Sequence, residues 1–345
     1  MGKLENTKRY VYLPVYLPYL PNTKSTKRKR EQSEIKKEPI EDKPKEQKET
    51  KQLKKEEKKE VKKDHRYQAP VAQKNAIEAK QIVLDNLKVY KPMEGQDMET
   101  ITLEYPGRDC REEFLLAISN NPDEYAPITD IYNTVQLIAS ECLPKGTANN
   151  FGDSRIGIIR NIMKACHKQI TADLKDGILA FNAVMLELKD SGVFDNCEIK
   201  GPPASFDLIT HILEQSYARS IAPKSHLLNH YEGFSNNVYG EIKHSFVHEL
   251  IREADIKSTD IFLDMGSGIG NVVLQIAAEC LCESYGIEIM EIPSNFAKKQ
   301  RNEFLSRMRY YSKPCGRIFL KQGDFLEDES ISKVISKADV IFLCF

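Results

Sequence analysis

The sequence predicts an α/β protein in which an open, mostly parallel sheet follows a helical domain and a disordered basic N-terminal arm. Three observations carry that reading. Beyond about residue 236, short apolar runs alternate with amphipathic stretches, as when strands are joined by helices. Between about 75 and 222, apolar residues instead recur at steps of three and four. Residues 21–66 hold 18 basic and 11 acidic side chains with few large apolar ones, so burial there cannot offset the entropy of ordering. The expected organisation is a disordered Tyr/Pro and Lys/Glu-rich arm over 1–66, a helical domain over 67–235 and a sheet-bearing domain over 236–345.

The arm is distinguished by charge. Residues 21–66 carry a net +7 and residues 67–345 a net −10, although the 345-residue chain sums to −1. A cationic arm on an acidic body is the asymmetry of a protein that meets a polyanion. Residues 10–21 read YVYLPVYLPYLP, a Tyr-x-x-Pro repeat expected to stay extended and polyproline-like. It reads as a structureless apolar tail, or alternatively as a ligand for an aromatic-grooved domain. Lys27-Arg28-Lys29-Arg30 has the composition of a nuclear import signal, and the wider Lys-rich stretch suits DNA phosphates.

Several classes are excluded. No run approaches the roughly 18–20 apolar residues of a membrane span, and the N-terminus lacks the basic-then-apolar pattern of a secretory signal. The eight cysteines are scattered without a CxxC pair, and Cys280 and Cys282 sit in an apolar segment that reads as core packing. That usage is expected of a reducing intracellular compartment.

In the helical region Ala76, Ile77, Ile82, Val83 and Leu87 share one periodic face. Ile131, Val135, Leu137 and Ile138 form a second, and Ile156, Ile159, Ile162 and Met163 a third. Gly201-Pro202-Pro203 is a stop before another helix bearing Phe206, Leu208, Ile209, Ile212 and Leu213. No catalytic motif is evident in this half. After it come a helix through 238–254, a strand over 261–264, a glycine turn and a helix over 271–280. A strand over 284–289, a helix bearing Phe296, Phe304, Leu305 and Met308, a strand over 317–321, a helix near 331–335 and a strand over 339–343 complete the chain.

The informative segment is Asp264-Met265-Gly266-Ser267-Gly268-Ile269-Gly270. Glycines after a strand let the backbone turn and approach a ligand, and the following helix offers free N–H groups to an anion. An acid closes each of the first two strands (Asp264 and, 24 residues on, Glu288), and Gly323-Asp324-Phe325 closes the third. The second acid is placed for ribose hydroxyls. A nicotinamide enzyme needs a third glycine where Asn271 stands. S-adenosylmethionine, with its ammonium, carboxylate and sulfonium, fits better: an acid ending the first strand suits the ammonium, and Asp324 and Phe325 suit the adenine amine and ring face. Catalysis of methyl transfer then needs a neutral lysine amine, whose free pKa is about 10.4. A dry channel lowers that value, so positioning and desolvation replace a dedicated base and no catalytic residue is nominated.

Leu228-Asn229-His230-Tyr231-Glu232, Phe234 to Glu241, the DMGSGIGN turn, Gly286-Ile287-Glu288 and Gly323-Asp324-Phe325-Leu326 together resemble the disruptor of telomeric silencing family over about 205–343. The resemblance implies a Rossmann-like class I S-adenosylmethionine-dependent methyltransferase sheet. It also implies a histone methyltransferase without a SET domain that modifies a lysine on the globular core of histone H3 in the nucleosome, in the nucleus, with a role in chromatin regulation and telomeric silencing. Tyr239, Gly240, Glu241 and the adjoining Ile242 would correspond to the loop closing over the methionine part of the cofactor. Asp264, Met265, Gly266, Ser267, Gly268, Ile269, Gly270 and Asn271 would form the principal cofactor loop, Glu288 the ribose contact, and Asp324 and Phe325 the adenine contacts.

The sequence departs from the family after its fourth strand, where an Asn-Asn-Phe stretch is replaced by Cys344-Phe345. Only the first half of the sheet is expected, with its last edge uncovered, and so weak cofactor binding and poor catalysis. The alternative function is therefore a non-catalytic chromatin-binding fragment. His244 and His248 share a helix face, but Arg252 stands where a zinc protease would place its second histidine, and no metal is expected.

Overall fold

The computed structural model describes residues 8–13, 76–143, 146–147, 150–152, 155–229 and 242–344. The chain opens with β1 (Arg9–Leu13) and continues with α1 (Ala79–Asp85), β2 (Tyr90–Pro92), β3 (Thr100–Glu104), β4 (Arg111–Leu115) and β5 (Ala117–Ser119). Four helices of the N-terminal half follow: α2 (Pro127–Leu137), α3 (Ile158–Lys168), α4 (Thr171–Asp190) and the short α5 (Cys197–Lys200). Then come α6 (Phe206–Ser220), α7 (His244–Glu253), β6 (Ile261–Met265), α8 (Asn271–Cys280), β7 (Glu283–Glu288), α9 (Glu291–Tyr310), β8 (Ile318–Gln322), α10 (Glu329–Lys337) and β9 (Val340–Cys344).

The main sheet has the order β1-β9-β6-β7-β8, and every pairing in it is parallel. The inner strands β6 and β9 are short apolar runs buried on both sides, as parallel strands connected by helices require, whereas Phe319, Lys321 and Gln322 of β8 are exposed. Alternation assigns the faces. Phe262, Ile318, Val340 and Phe342 join α8 and α9 in the large core, whereas Leu263, Ile287 and Ile341 pack with Ile331 and Ala338 at α10. The large core runs without interruption from this sheet into α2, α3, α4 and α6. The expected boundary at 235–236 lies outside the described residues.

Two departures from expectation have physical causes. Residues 90–119, which fall within the stretch read as helical from its periodicity, instead form two antiparallel strand pairs, β2–β5 and β3–β4. In β3 the burial alternates strictly, with Ile101 and Leu103 inward. In β4 the inward place is taken by Glu112, a buried carboxylate that masks the period of two. The second departure is β1. Arg9–Leu13 falls in the arm read as disordered and polyproline-like, yet it runs in register along β9, from Arg9 opposite Val340 to Leu13 opposite Cys344. The edge of β9 expected to be uncovered therefore carries a strand, which satisfies its backbone groups.

Candidate functional site

β6 delivers Asp264 and Met265 to the carboxyl end of the sheet, where parallel α/β sheets place ligands. The turn that follows is tied to the end of β7: Gly266 and Ser267 donate their N–H groups to the Ile287 carbonyl at 2.9 and 3.0 Å, and Gly270 donates to the Ser267 carbonyl at 2.8 Å. Gly270 has φ of +87°, a left-handed conformation that favours glycine, and it starts α8 without a capping side chain. The first N–H groups of α8, from Asn271 onward, are thereby offered to an anion. Ile269 holds the turn down by burying its side chain with Ile221, Leu228 and Phe296.

Two carboxylates face this loop. Glu288 accepts from Gly268 N–H through Oε2 and from Met290 N–H through Oε1, both at 2.8 Å. Those bonds fix its plane and leave lone pairs for a diol. Asp264, 2% exposed, has a buried Oδ1 with no hydrogen-bond partner. Burial, reinforced by the Glu288 charge, pushes its pKa up to about 8. An orphaned buried carboxylate oxygen is costly unless a cation completes it. Beyond β8, Gly323 N–H donates to the Glu288 carbonyl at 3.0 Å, Asp324 Oδ1 accepts from Leu326 N–H at 2.8 Å, and Phe325 is half-buried against the α10-side cluster. Exposed Ile289 and Leu326 border these residues.

Asp264 through Asn271, Glu288, Asp324 and Phe325 are thus brought to one end of the sheet. Ile242 is half-buried against the large core; Tyr239, Gly240, Glu241 and the Lys27–Arg30 cluster lie outside the described residues. The donors and acceptors fit a zwitterionic, adenosyl-bearing cation: a naked carboxylate for its ammonium, free amides for its carboxylate, and a fixed acceptor for its ribose. Reading the residues alone missed Gln300, which is fully buried on α9 and donates through Nε2 to Asn271 Oδ1. Nothing in its sequence position, 29 residues further on, signals that contact. His244 and His248 turn to α8 instead, bonding Gln275 at 3.2 Å and Glu279 at 2.7 Å. A separate polar cleft of about 1030 Å³, lined by Glu104, Arg108, Lys189, Asp195 and Arg309 among others, shares no residue with this loop.

Gly286 provides a test of the loop's seating. A Cβ there would lie 2.8 Å from Ser267 Oγ and from Leu320 Cδ2. Gly286→Ala is expected to lift the turn and weaken cofactor binding by about tenfold, roughly 1.4 kcal/mol, with the fold retained; equilibrium dialysis alongside circular dichroism reads both, and unchanged affinity contradicts the geometry.

Residues 217–344 match a family described as "Histone methylation protein DOT1". Over 250 residues the chain is 33% identical to "Histone-lysine N-methyltransferase, H3 lysine-79 specific" of Aspergillus fumigatus, covering 72% of this chain and 50% of that protein. The protein of the same name from Chaetomium globosum is 34% identical over 251 residues, covering 72% and 48%. The chain spans about half the length of these curated relatives. Among solved structures, an RNA methyltransferase from Salinibacter ruber in complex with S-adenosyl-L-homocysteine is 26% identical over 30% of this chain and 60% of that one, with a TM-score of 0.24.

Proposed function

We propose that the chain is an S-adenosyl-L-methionine-dependent histone-lysine N-methyltransferase of the DOT1 type, a reading supported by the match of residues 217–344 to that family and by the similarity to the two fungal enzymes. Its substrate is a lysine on the globular core of histone H3 within the nucleosome; the relatives' names specify lysine-79 of H3. The observation that carries this reading is the buried, unpartnered Asp264 Oδ1 beside the glycine turn, an acceptor suited to an ammonium group.

When bound, the cofactor supplies an electrophilic methyl group on a sulfonium. Asp264 takes the ammonium, the first amides of α8 take the carboxylate, and Glu288 accepts from the ribose hydroxyls. Asp324 accepts from the adenine amine, and Phe325 backs the ring. Because Gly268 and Met290 fix Glu288 from two sides, the cofactor is held without reorganising the loop, and rigid holding is what an in-line transfer requires. Neutralising the incoming lysine falls to a water-poor approach rather than to a base.

The arm extends the substrate reading. Residues 21–66, at net +7, contact nucleosomal DNA phosphates, and Lys27-Arg28-Lys29-Arg30 directs nuclear import, consistent with chromatin regulation and telomeric silencing. Methyl transfer from tritiated cofactor to reconstituted nucleosomes tests the function. Label on H3 in nucleosomes, with binding to DNA that weakens steeply as salt rises, is expected. No label on nucleosomal H3 at saturating cofactor rejects the proposal.

A further inference from the structure

Gln300 is poorly matched to its surroundings. It sits midway along α9, is fully buried, and its Oε1 has no hydrogen-bond partner. A buried acceptor left unmet is destabilising, and an apolar side chain of the same length would avoid that cost. Among the described residues its side chain bonds only to Asn271, donating from Nε2 to Oδ1.

That bond completes a contact in which α9 meets the glycine turn residue by residue. Phe296 is buried in one apolar cluster with Ile269. A Cβ on Gly270 would come within 3.7 Å of the Ala297 Cβ. Gln300, one turn further along, reaches Asn271. Apolar packing would serve this third contact as well as it serves the first two, so stability does not account for the amide. Counting donors fixes the direction of the bond. The reverse arrangement, Oε1 accepting from Asn271 Nδ2, would bury the Gln300 NH2 with both N–H groups unmet, and buried orphan donors are rarer than orphan acceptors. Asn271 Oδ1 is therefore taken from the α9 side. Its Nδ2, on a half-buried side chain, has no partner among the described residues and is the end left for a ligand. Asn271 also begins α8, whose first N–H groups lack a capping side chain and suit an anion. A further donor strengthens that site, whereas an amide oxygen there would oppose a carboxylate.

We infer that Gln300 is a positioning residue: by holding Asn271 Oδ1 it turns the Asn271 NH2 to the carboxylate of the cofactor. This rests on the proposed function and deepens it, assigning recognition of the ligand's amino-acid end to a residue that does not touch the ligand. Without Gln300 the Asn271 amide is free to rotate and to present oxygen in place of nitrogen.

The test is calorimetry on the full chain with S-adenosyl-L-homocysteine and with its decarboxylated analogue, which keeps the ammonium. Gln300→Met preserves length and removes the hydrogen-bonding groups. It is expected to weaken S-adenosyl-L-homocysteine about tenfold, as for one lost bond to a charged group, and to leave the analogue within about twofold. Its melting temperature should not fall, because the unmet acceptor is gone. Asn271→Ala should show the same selective loss, and adding Gln300→Met to it should cause no further loss. Equal weakening of both ligands, weakening of neither, a lower melting temperature in Gln300→Met or additive losses in the double variant would each overturn the inference and leave the proposed function standing. Uptake of neither ligand by the unaltered chain would reject the proposed function, and the inference with it.

Discussion

Asp264→Asn weakens cofactor binding by about 100-fold at pH 8, on the order of the 2–3 kcal/mol carried by a buried charge-assisted contact, while the cofactor-free protein stays folded. The reason lies in the resting state. Burial and the neighbouring Glu288 charge push the Asp264 pKa up to about 8, and its other strand neighbour, β9, contributes no charged residue among Val340–Cys344. Below that pH the side chain is a neutral acid close in shape to asparagine. A cation at Oδ1 reverses the preference, and the proton must leave. Wild-type affinity should therefore rise with pH up to about 8, at most tenfold per unit, and then level off. At pH 7 binding should release nearly one proton, measured by calorimetry in buffers of different ionisation enthalpy. In the variant both the slope and the proton release disappear.

Stability moves the other way. A carboxyl whose folded pKa stands above its reference of 3.8 contributes fully below 3.8, and that contribution is lost as pH rises through about 8. Asp264→Asn should thus be at least as stable as the native chain at pH 9. A variant that binds cofactor undiminished, or a native chain that binds it with no proton release, defeats the assignment of Asp264.

How much of this was legible depended on whether a residue's task matched its type. The strands at 261–265, 283–288, 318–322 and 340–344 were readable because apolar runs between helices have few other uses. The turn at Asp264–Asn271 was readable because glycines and an acid at a strand end are costly unless something is bound there. Gln300 was not, since an amide on a periodic helix face carries no mark of the partner it reaches across the core. Glu112 inverted the signal: an acid in a strand reads as outward-facing, yet it points inward because Arg219 and Arg307 wait there. β1 was hidden for a third reason. Tyr and Val favour strands, but the proline repeat dominates the composition of that stretch, and its partner is a strand more than 320 residues later.

Glu112→Gln should cost about 3–5 kcal/mol, because it leaves buried guanidinium groups short of charge, and so lower the melting temperature by about 10 °C. Glu112 is 1% exposed and accepts from Arg219 Nη2 at 2.9 Å, Arg307 Nη1 and Nη2 at 2.5 and 2.8 Å, the Tyr105 hydroxyl at 2.7 Å and Ala79 N–H at 2.9 Å. Arg219 also reaches Asp130 at 2.8 Å, and Arg307 reaches Glu303 at 2.8 Å. One carboxylate on β4 thus joins α6 of the N-terminal half to α9 of the sheet. Burial alone would raise its pKa, but the two arginines overcome that and hold it below the usual carboxylate range. Glu113→Gln on the same strand, where an exposed side chain meets Lys80, should change stability by less than about 1 kcal/mol. The double change Glu112→Leu with Arg307→Met should cost less than the sum of its parts, since the charges leave together. Acid should expose the same network. Burial depresses His211 to about 4 from 6.5, so its contribution is complete above 6.5 and lost as pH falls through 4. Glu112 and Asp130 add their own losses below about 4.5 and 3.8. Thermal melts from pH 7 to 4 should show the decline beginning near 6.5. A Glu112→Gln protein that melts with the native chain would mean that the two halves are held by apolar packing alone.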